Sequence, residues 1–421
     1  MCCPGGLLSA KLFDMSLVNE LKDRGLIEHY SADPEKILGE KRTIYIGTDP
    51  TANSLHVGHL AWVTLLKRLS DDGHRLILLV GGGTGMIGDP KEKGERSLLQ
   101  ESVIDENAAA LSAQLGNLLG NKAEFSMVNN AEWLREVKLL PFLRDVGKHF
   151  TVNDLVKRDL IKRRLETPDE SISYTEFTYS LLQAYDYWEL NRRYDCDLQI
   201  GASDQWTNIL SGVDLIRKRE GKEVFALAIP LITDAAGRKF GKSEGNAVWL
   251  DPKLTTPYQF YQFWLNIDDA KAVDYLKIYT FLPLSEIESV AAEHVADPGK
   301  RLAQKQLANL VTTFVHGDEA AQSSASVSEI LFGGREAVEL SDAEREVLLQ
   351  NAPTYSDSKG QSLTEVLVGS GLASSKREAR EFIEGGAVTL YGNKVTDPES
   401  IVDFNDFAIL RKGKKSLVVL V

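Results

Sequence analysis

What the chain has little of narrows its character first. It carries three cysteines, two adjacent at positions 2 and 3 and one alone at Cys196, a pattern that gives neither a disulfide framework nor a zinc site. No apolar run approaches the roughly 20 residues that cross a bilayer, and the opening MCCPGG sets no charged segment before an apolar stretch. The expectation is a cytoplasmic protein in a reducing compartment with no membrane partner. An excess of positive charge is lacking too: 48 Lys and Arg stand against 61 Asp and Glu, a net charge of −13. That excludes a general nucleic-acid coat, because phosphate contacts need Lys and Arg, so any RNA contact is local. The tail 373–421 holds eight basic and seven acidic residues, near neutral in an otherwise acidic chain, and is one place to expect such contact. No internal repeat or low-complexity segment is visible.

What is present is ordinary in bulk and informative in order. At 421 residues the chain exceeds one core and implies two or three domains. Runs 43–48 (TIYIGT) and 75–80 (RLILLV) are rich in β-formers, and residues 60–69 between them repeat at helical spacing, which makes a β-α-β unit. A helix over 101–119 and a strand near 125–128 follow, then a helix over 174–190, a strand at 197–200, a helix from 204 and a strand at 224–229. Strands alternating with helices of this length predict an α/β fold, a Rossmann-like parallel sheet that binds a nucleotide. Strand signals fade after about 255. We expect a catalytic domain over 1–250, a helical domain with its linker over 251–350, and a small α+β domain over 351–421, opened by the polar connection 351–361.

Two short motifs carry chemistry. His56-Val57-Gly58-His59 falls where the first strand hands over to the first helix. A helix N-terminus presents free N–H groups to phosphate, imidazoles add donors without permanent charge, and Gly58 lets a flat base approach the backbone. A capping histidine beside a surface one is the competing reading. Lys239-Phe240-Gly241-Lys242-Ser243 lies in a glycine-hinged polar stretch and can bring two cations to a leaving pyrophosphate, against the plainer reading of a solvated basic turn.

Together, HVGH at the first strand-to-helix turn and KFGKS after the last strand resemble the paired signature of class I aminoacyl-tRNA synthetases. The segments YIGTDPTANSLHVGHL, GGTGMIGD, YTEFTYSLLQAYD and QIGASDQW narrow the resemblance to the bacterial tyrosyl-tRNA synthetases, from about residue 11 to the C-terminus. The resemblance implies activation of tyrosine by ATP, with Mg²⁺, and transfer to tRNA(Tyr). It implies Tyr45 and Asp186 at the substrate hydroxyl and Tyr179, Gln183 and Asp89 at the ammonium, with Asp49 also at the substrate. Thr51 and His56 would meet the terminal phosphates, His59 and Asp204 the ribose side together with Gly58 in the ATP site, and Gln205 the tyrosyl moiety. Lys239, Lys242 and Ser243 would meet the leaving pyrophosphate. Lys93 and Arg96 resemble the cations of a second mobile loop, whose GDPKEKGERS is one residue shorter than the family pattern; which family lysine Lys93 stands for is open. Positions 179, 183 and 186 are spaced by four and three, so one helix face can carry all three. No all-protein metal cage is visible, in keeping with Mg²⁺ bound through phosphates.

The segment from 362 resembles the S4-type RNA-binding module of the family, with Lys376, Arg377 and Arg380 on one helix and Arg411, Lys412, Lys414 and Lys415 on a second basic turn. The family also implies a homodimer, with an interface expected around 139–159. Two rivals remain: a tryptophanyl synthetase, which Tyr45 and Asp186 oppose because the single N–H of an indole substrate sits elsewhere than a phenol hydroxyl and leaves the carboxylate a costly partner, and a catalytically silent RNA-binding relative, which intact HVGH and KFGKS oppose.

Overall fold

The five runs expected as strands, joined by an edge strand that the sequence did not announce, build one six-stranded sheet: β1 (His29–Tyr30), β2 (Thr43–Thr48), β3 (Arg75–Val80), β4 (Phe125–Asn129), β5 (Leu198–Ala202) and β6 (Phe225–Ile229), in the order β1-β6-β5-β2-β3-β4, with β1 the unexpected one. Only the edge pairing β1–β6 is antiparallel. The structure is a computed structural model that describes residues 16–90, 99–120, 125–168, 170–238, 240, 242–243, 246–333, 340–356, 358–413 and 416–421. The chain divides into two compact units, 1–250 with 273–289, and 251–272 with 290–421.

A parallel sheet needs cover on both faces, which is why its strands read as continuous apolar runs. On one face Tyr45, Ile77, Leu79 and Val128 pack with Trp133, Tyr187, Trp188, Leu190, Leu215 and Ile216. On the other, Ile44, Ile46, Leu76 and Leu78 are equally buried. The helices that bear on the site are α1 (Leu60–Asp71), α2 (Glu101–Leu119), α3 (Tyr174–Tyr194) and α4 (Trp206–Glu220). Helix α3 starts at a capping box, in which Ser173 accepts from Glu176 N and Glu176 answers to the Ser173 backbone. It ends at Asp195 in the left-handed region, φ 52°, with Arg192 and Arg193 in the last turn, where cations suit the carbonyl end. Strand order reverses between β2 and β5, so a crevice opens past their carboxyl ends, the usual ligand position in such sheets.

In the second unit a five-stranded sheet includes strands Thr354–Tyr355, Val388–Leu390, Ala408–Lys412 and Ser416–Leu420. Side chains alternate across a strand. Ala408, Leu410, Val418 and Leu420 therefore face the helices of residues 363–384, while Ile409, Leu417 and Val419 pack with Tyr258, Val327, Ile330, Leu331 and Leu348. The helical stretch and the C-terminal module thus share apolar contacts within one unit, and 273–289 groups with the first. The stretch 351–361 is more than a connection, because Thr354 and Tyr355 pair in parallel with the last strand.

Candidate active site

The handover from β2 to α1 is fixed from two sides. Helix α2 holds the loop from behind: Asn107 Nδ2 donates to Pro50 O at 2.9 Å, and Gln114 Oε1 accepts from Leu55 N at 2.7 Å. In front, Val57 N donates to Val248 O (2.9 Å) and Leu250 N to Leu55 O (2.8 Å), which lays the stretch after KFGKS along HVGH. His56 Nδ1 accepts from Gly58 N and His59 Nδ1 from His56 N, both at 3.1 Å, with the rings 3.9 Å apart. An Nδ1 that accepts carries no proton, so the neutral ring bears its hydrogen on Nε2, the donor a phosphate oxygen can use. The capping and phosphate-binding readings of these histidines are therefore compatible, one nitrogen for each. A Cβ on Gly58 would stand 2.8 Å from His56 Cε1 and 2.9 Å from Phe240 O, so no side chain fits.

A cavity of about 270 Å³ opens at the β2–β5 reversal. Twelve residues singled out in the sequence line it: Tyr45, Asp49, Thr51, His56, Gly58, His59, Asp89, Tyr179, Gln183, Asp186, Asp204 and Gln205. Thr51 and Asp204 are exposed, whereas Tyr45 and Asp186 are buried, 1% and 2% exposed, so the cavity runs from an exposed mouth to a buried floor. Lys93, Arg96 and Lys239 lie outside the described residues, as do the side chains of Lys242 and Ser243, whose backbone pairs with Asn246–Ala247.

At the floor, Asp186 Oδ1 accepts from Trp133 Nε1 (2.7 Å) and Oδ2 from Asn130 Nδ2 (2.9 Å). Burial, the largest influence, pushes its pKa up to about 7 against the pull of these two donors, with the charges of Asp49 and Glu189 adding to the rise. The buried Tyr45 hydroxyl has no hydrogen-bond partner among the described residues, and burial followed by the charge of Asp186 holds its phenol well above the usual range. Across the β2–β5 pair, Gln199 is the register partner of Tyr45, and its buried Oε1 is likewise without a partner. An unpartnered hydroxyl, a carboxylate and an amide oxygen on a cavity wall are a binding surface for a polar group from outside, since buried polar atoms are otherwise paired.

Along the wall, Tyr179 Oη donates to Asp49 Oδ2 (2.9 Å), Thr84 Oγ1 to Asp49 Oδ1 (2.8 Å) and Asn130 Nδ2 to Thr84 Oγ1 (2.9 Å). Asp89 is held by Gln205 Nε2 (2.8 Å) and Asn208 Nδ2 (3.2 Å). Two carboxylates with fixed orientation near the cavity suit a cation such as an α-ammonium. Thr84, Asn130, Trp133 and Gln199 were not singled out from the sequence. Thr84 and Gln199 lie inside quoted motif segments, but Asn130 and Trp133 carry no such signal.

In the second unit, Lys376, Arg377 and Arg380 are exposed on helix Lys376–Glu384, where they pair with Glu365 (3.0 Å), Glu381 (3.6 Å) and Glu399 (3.2 Å). Arg411 corrects an expectation. It sits in a strand, 6% exposed, on the face shared with Ile409, and its guanidinium donates to Ile330 O, so it does not belong to a basic turn offered to RNA. Lys412 points to the opposite face, where its ammonium reaches Leu372 O and lies 4.5 Å from the Phe382 ring. Lys414 and Lys415 lie outside the described residues.

A doubly wound sheet with HVGH at the first turn and the post-KFGKS stretch laid against it defines a class I aminoacyl-tRNA synthetase, and residues 38–333 match the class I tRNA synthetases of the W and Y group. Residues 344–420 match the C-terminal domain of tyrosine–tRNA ligases of the SYY-like kind. Tyrosine–tRNA ligase 1 of Vibrio parahaemolyticus is 46% identical over 408 residues, 95% of this chain and 97% of that protein. The tyrosine–tRNA ligase of Leuconostoc citreum is 45% identical over 413 residues, 95% and 98% of the two chains. A C-terminally truncated mitochondrial tyrosyl-tRNA synthetase of Aspergillus nidulans superposes with a TM-score of 0.67 at 31% identity, over 75% of this chain and 94% of that one. The chain belongs to the tyrosine–tRNA ligases of bacterial type, enzymes that activate tyrosine with ATP and charge tRNA with it.

Proposed function

We propose that the cavity holds tyrosine at its floor and ATP toward its mouth, and that both half-reactions run there. The observation that carries this reading is the convergence of a buried, unpartnered Tyr45 hydroxyl and the Asp186 carboxylate on the wall of the cavity that HVGH also lines. The substrate phenol donates to Asp186 and meets Tyr45. Its ammonium sits among Tyr179, Gln183, Asp89 and Asp49, with Gln205 beside the tyrosyl moiety. Thr51 and His56 face the terminal phosphates, and Gly58, His59 and Asp204 the nucleoside. The tyrosine carboxylate attacks the α-phosphorus in line, the bond to the β-phosphate oxygen breaks, and pyrophosphate leaves toward Lys239, Lys242, Ser243, Lys93 and Arg96. No protein nucleophile is needed, because positioning and stabilisation of the leaving charge do the catalytic part. Among the described residues no group of three His, Cys, Asp or Glu is arranged to hold a metal; Mg²⁺ enters on the ATP phosphates.

In the second step a hydroxyl of the tRNA terminal ribose attacks the acyl carbon and AMP leaves. The tail 351–421 contacts tRNA(Tyr) through Lys376, Arg377 and Arg380, joined by Lys412, Lys414 and Lys415. Leu139, Leu140, Leu143 and Val152 are exposed on one segment of the first unit, a set of apolar side chains that fits burial against a second copy as a homodimer. Among the described residues no helix is long and apolar enough to cross a membrane, and the reading is completed by a cytoplasmic location. Exchange of pyrophosphate into ATP that depends on tyrosine, without RNA, tests the activation site. Tyr179→Phe should raise the KM for tyrosine in that assay, and exchange supported equally by phenylalanine would overturn the floor assignment.

A further inference from the structure

Phe240, the aromatic centre of the KFGKS stretch, is not a surface residue. It is 5% exposed, and its ring lies 4.7 Å from that of Tyr275 and 5.9 Å from that of Tyr279, which stand edge-on to each other at 5.6 Å. The backbone leading to it is a closed turn: Phe240 N donates to Ile232 O (2.9 Å) and Asp234 N to Arg238 O (2.8 Å), with Gly237 at φ 76° where a side chain would be strained. Tyr275 touches both arms of this turn, its ring against Phe240 and its hydroxyl donating to Thr233 O at 2.8 Å. Simple packing would account for the rings, but not for a hydroxyl spent on the arm opposite Phe240.

The tyrosines are themselves fixed to the first signature motif. They lie near the C-terminal end of a helix, whose last carbonyls have no partner within it. Here those carbonyls and the ones just beyond find side chains. Thr64 Oγ1 donates to Ile278 O (2.9 Å), Arg24 to Lys277 O (2.9 Å), Thr280 O (3.3 Å) and Leu282 O (2.7 Å), and Arg68 to Thr280 O. Thr64 and Arg68 belong to α1, the helix that HVGH opens. The connection closes on itself, because Phe240 O stands 2.9 Å from where a Cβ of Gly58 would be.

We infer that Tyr275 and Tyr279 are positioning residues for tyrosine activation, which seat Phe240, the centre of the KFGKS motif, against Gly58 of the HVGH turn. The inference rests on the reading of KFGKS as the pyrophosphate-facing stretch. Its test is single-turnover formation of tyrosyl adenylate by the full-length enzyme at saturating ATP, beside the Kd for tyrosine and the rate of tyrosine transfer from preformed adenylate to tRNA. Tyr275→Ala should slow adenylation about tenfold or more while changing the other two less than about twofold, since only an interaction made in the activation transition state is lost. Tyr275→Phe keeps the ring and loses one hydrogen bond, which predicts a slowing of about two- to tenfold even if the alanine variant folds poorly. In a Lys242→Ala background, itself slowed about a hundredfold, Tyr275→Ala should cost almost nothing further, because residues that act through one group are not additive. Full multiplication of the two losses, or an equal fall in tyrosine affinity, would reduce Tyr275 to a structural residue. A slow Lys242→Ala beside a normal Tyr275→Ala overturns the inference alone, whereas a normal Lys242→Ala overturns the reading of the loop and the inference with it.

Discussion

The free enzyme should bind tyrosine with an affinity that depends on pH through one carboxylate. Asp186 lies at the cavity floor, and burial raises its pKa to about 7, far from the ordinary value of about 3.9. Tyrosine's phenol is best received by the ionised form, because a hydrogen bond to a charged acceptor is roughly twice as strong as a neutral one. The apparent Kd is then the intrinsic Kd divided by the ionised fraction. At pH 6 that fraction is about one tenth, so binding should be about tenfold weaker than at pH 8, with the change centred near neutrality. The sign for folding is opposite: a carboxyl whose folded pKa is raised favours the compact state while protonated, and that contribution is lost as pH rises from about 4 through about 7. Asp186→Asn removes the titration. Its Kd should be flat over pH 5.5–8.5 and, at pH 8, about 10- to 100-fold weaker than that of the parent, the loss of about 1.5–3 kcal/mol for a charged hydrogen bond. Phenylalanine, which makes no such bond, should be affected far less. Calorimetric titration across that pH range, at constant ionic strength, measures both effects. A flat profile for the parent enzyme, or the same tenfold change surviving in Asp186→Asn, would refute the reasoning, since the cavity also holds His56 and His59 and only the variant assigns the titration.

Gly58→Ala places a methyl 2.9 Å from the backbone oxygen of Phe240, so it should slow adenylate formation by at least about tenfold through displacement of HVGH or the turn before KFGKS; a normal single-turnover rate would show that this approach has no catalytic meaning. Leu140→Asp, at a side chain 78% exposed, should leave the fold intact and shift sedimentation from dimer to monomer at micromolar concentration, and an unchanged dimer would move the interface elsewhere. Removal of 351–421 should preserve pyrophosphate exchange, because the cavity residues all lie in the first unit, and should abolish most tRNA charging. It also strips Ile409, Leu417 and Val419 from Ile330, Leu331 and Leu348, so the shortened protein should bind an apolar dye; charging at the full rate would dismiss the tail as an RNA module.

The residues that touch substrate were largely open to reading, and those that hold them in place were not; the difference is one of distance along the chain. TIYIGT and RLILLV declare a parallel sheet because both faces must be apolar. Tyr179, Gln183 and Asp186 fall on one face by spacing alone, and all three line the cavity. Asp186, however, is oriented by Asn130 and Trp133, 56 and 53 residues away, at the cap and inside a helix of only four residues, too short for a periodic signal. Tyr275 meets Thr233 across 42 residues, from a stretch expected to belong to the next domain.

Arg411 shows that even a correct local rule can leave the outcome undetermined. Alternation puts it on the same face as Ile409, which composition alone would make an inner face, yet its charge argues for solvent. Charge loses here because Ile330, on a helical segment 81 residues earlier, supplies a carbonyl to the buried guanidinium. A buried cation needs such a partner, and nothing within a few residues of Arg411 announces one. Local pattern can say which side of a strand a residue occupies. Whether that side meets water, RNA or another helix depends on elements that only packing brings together.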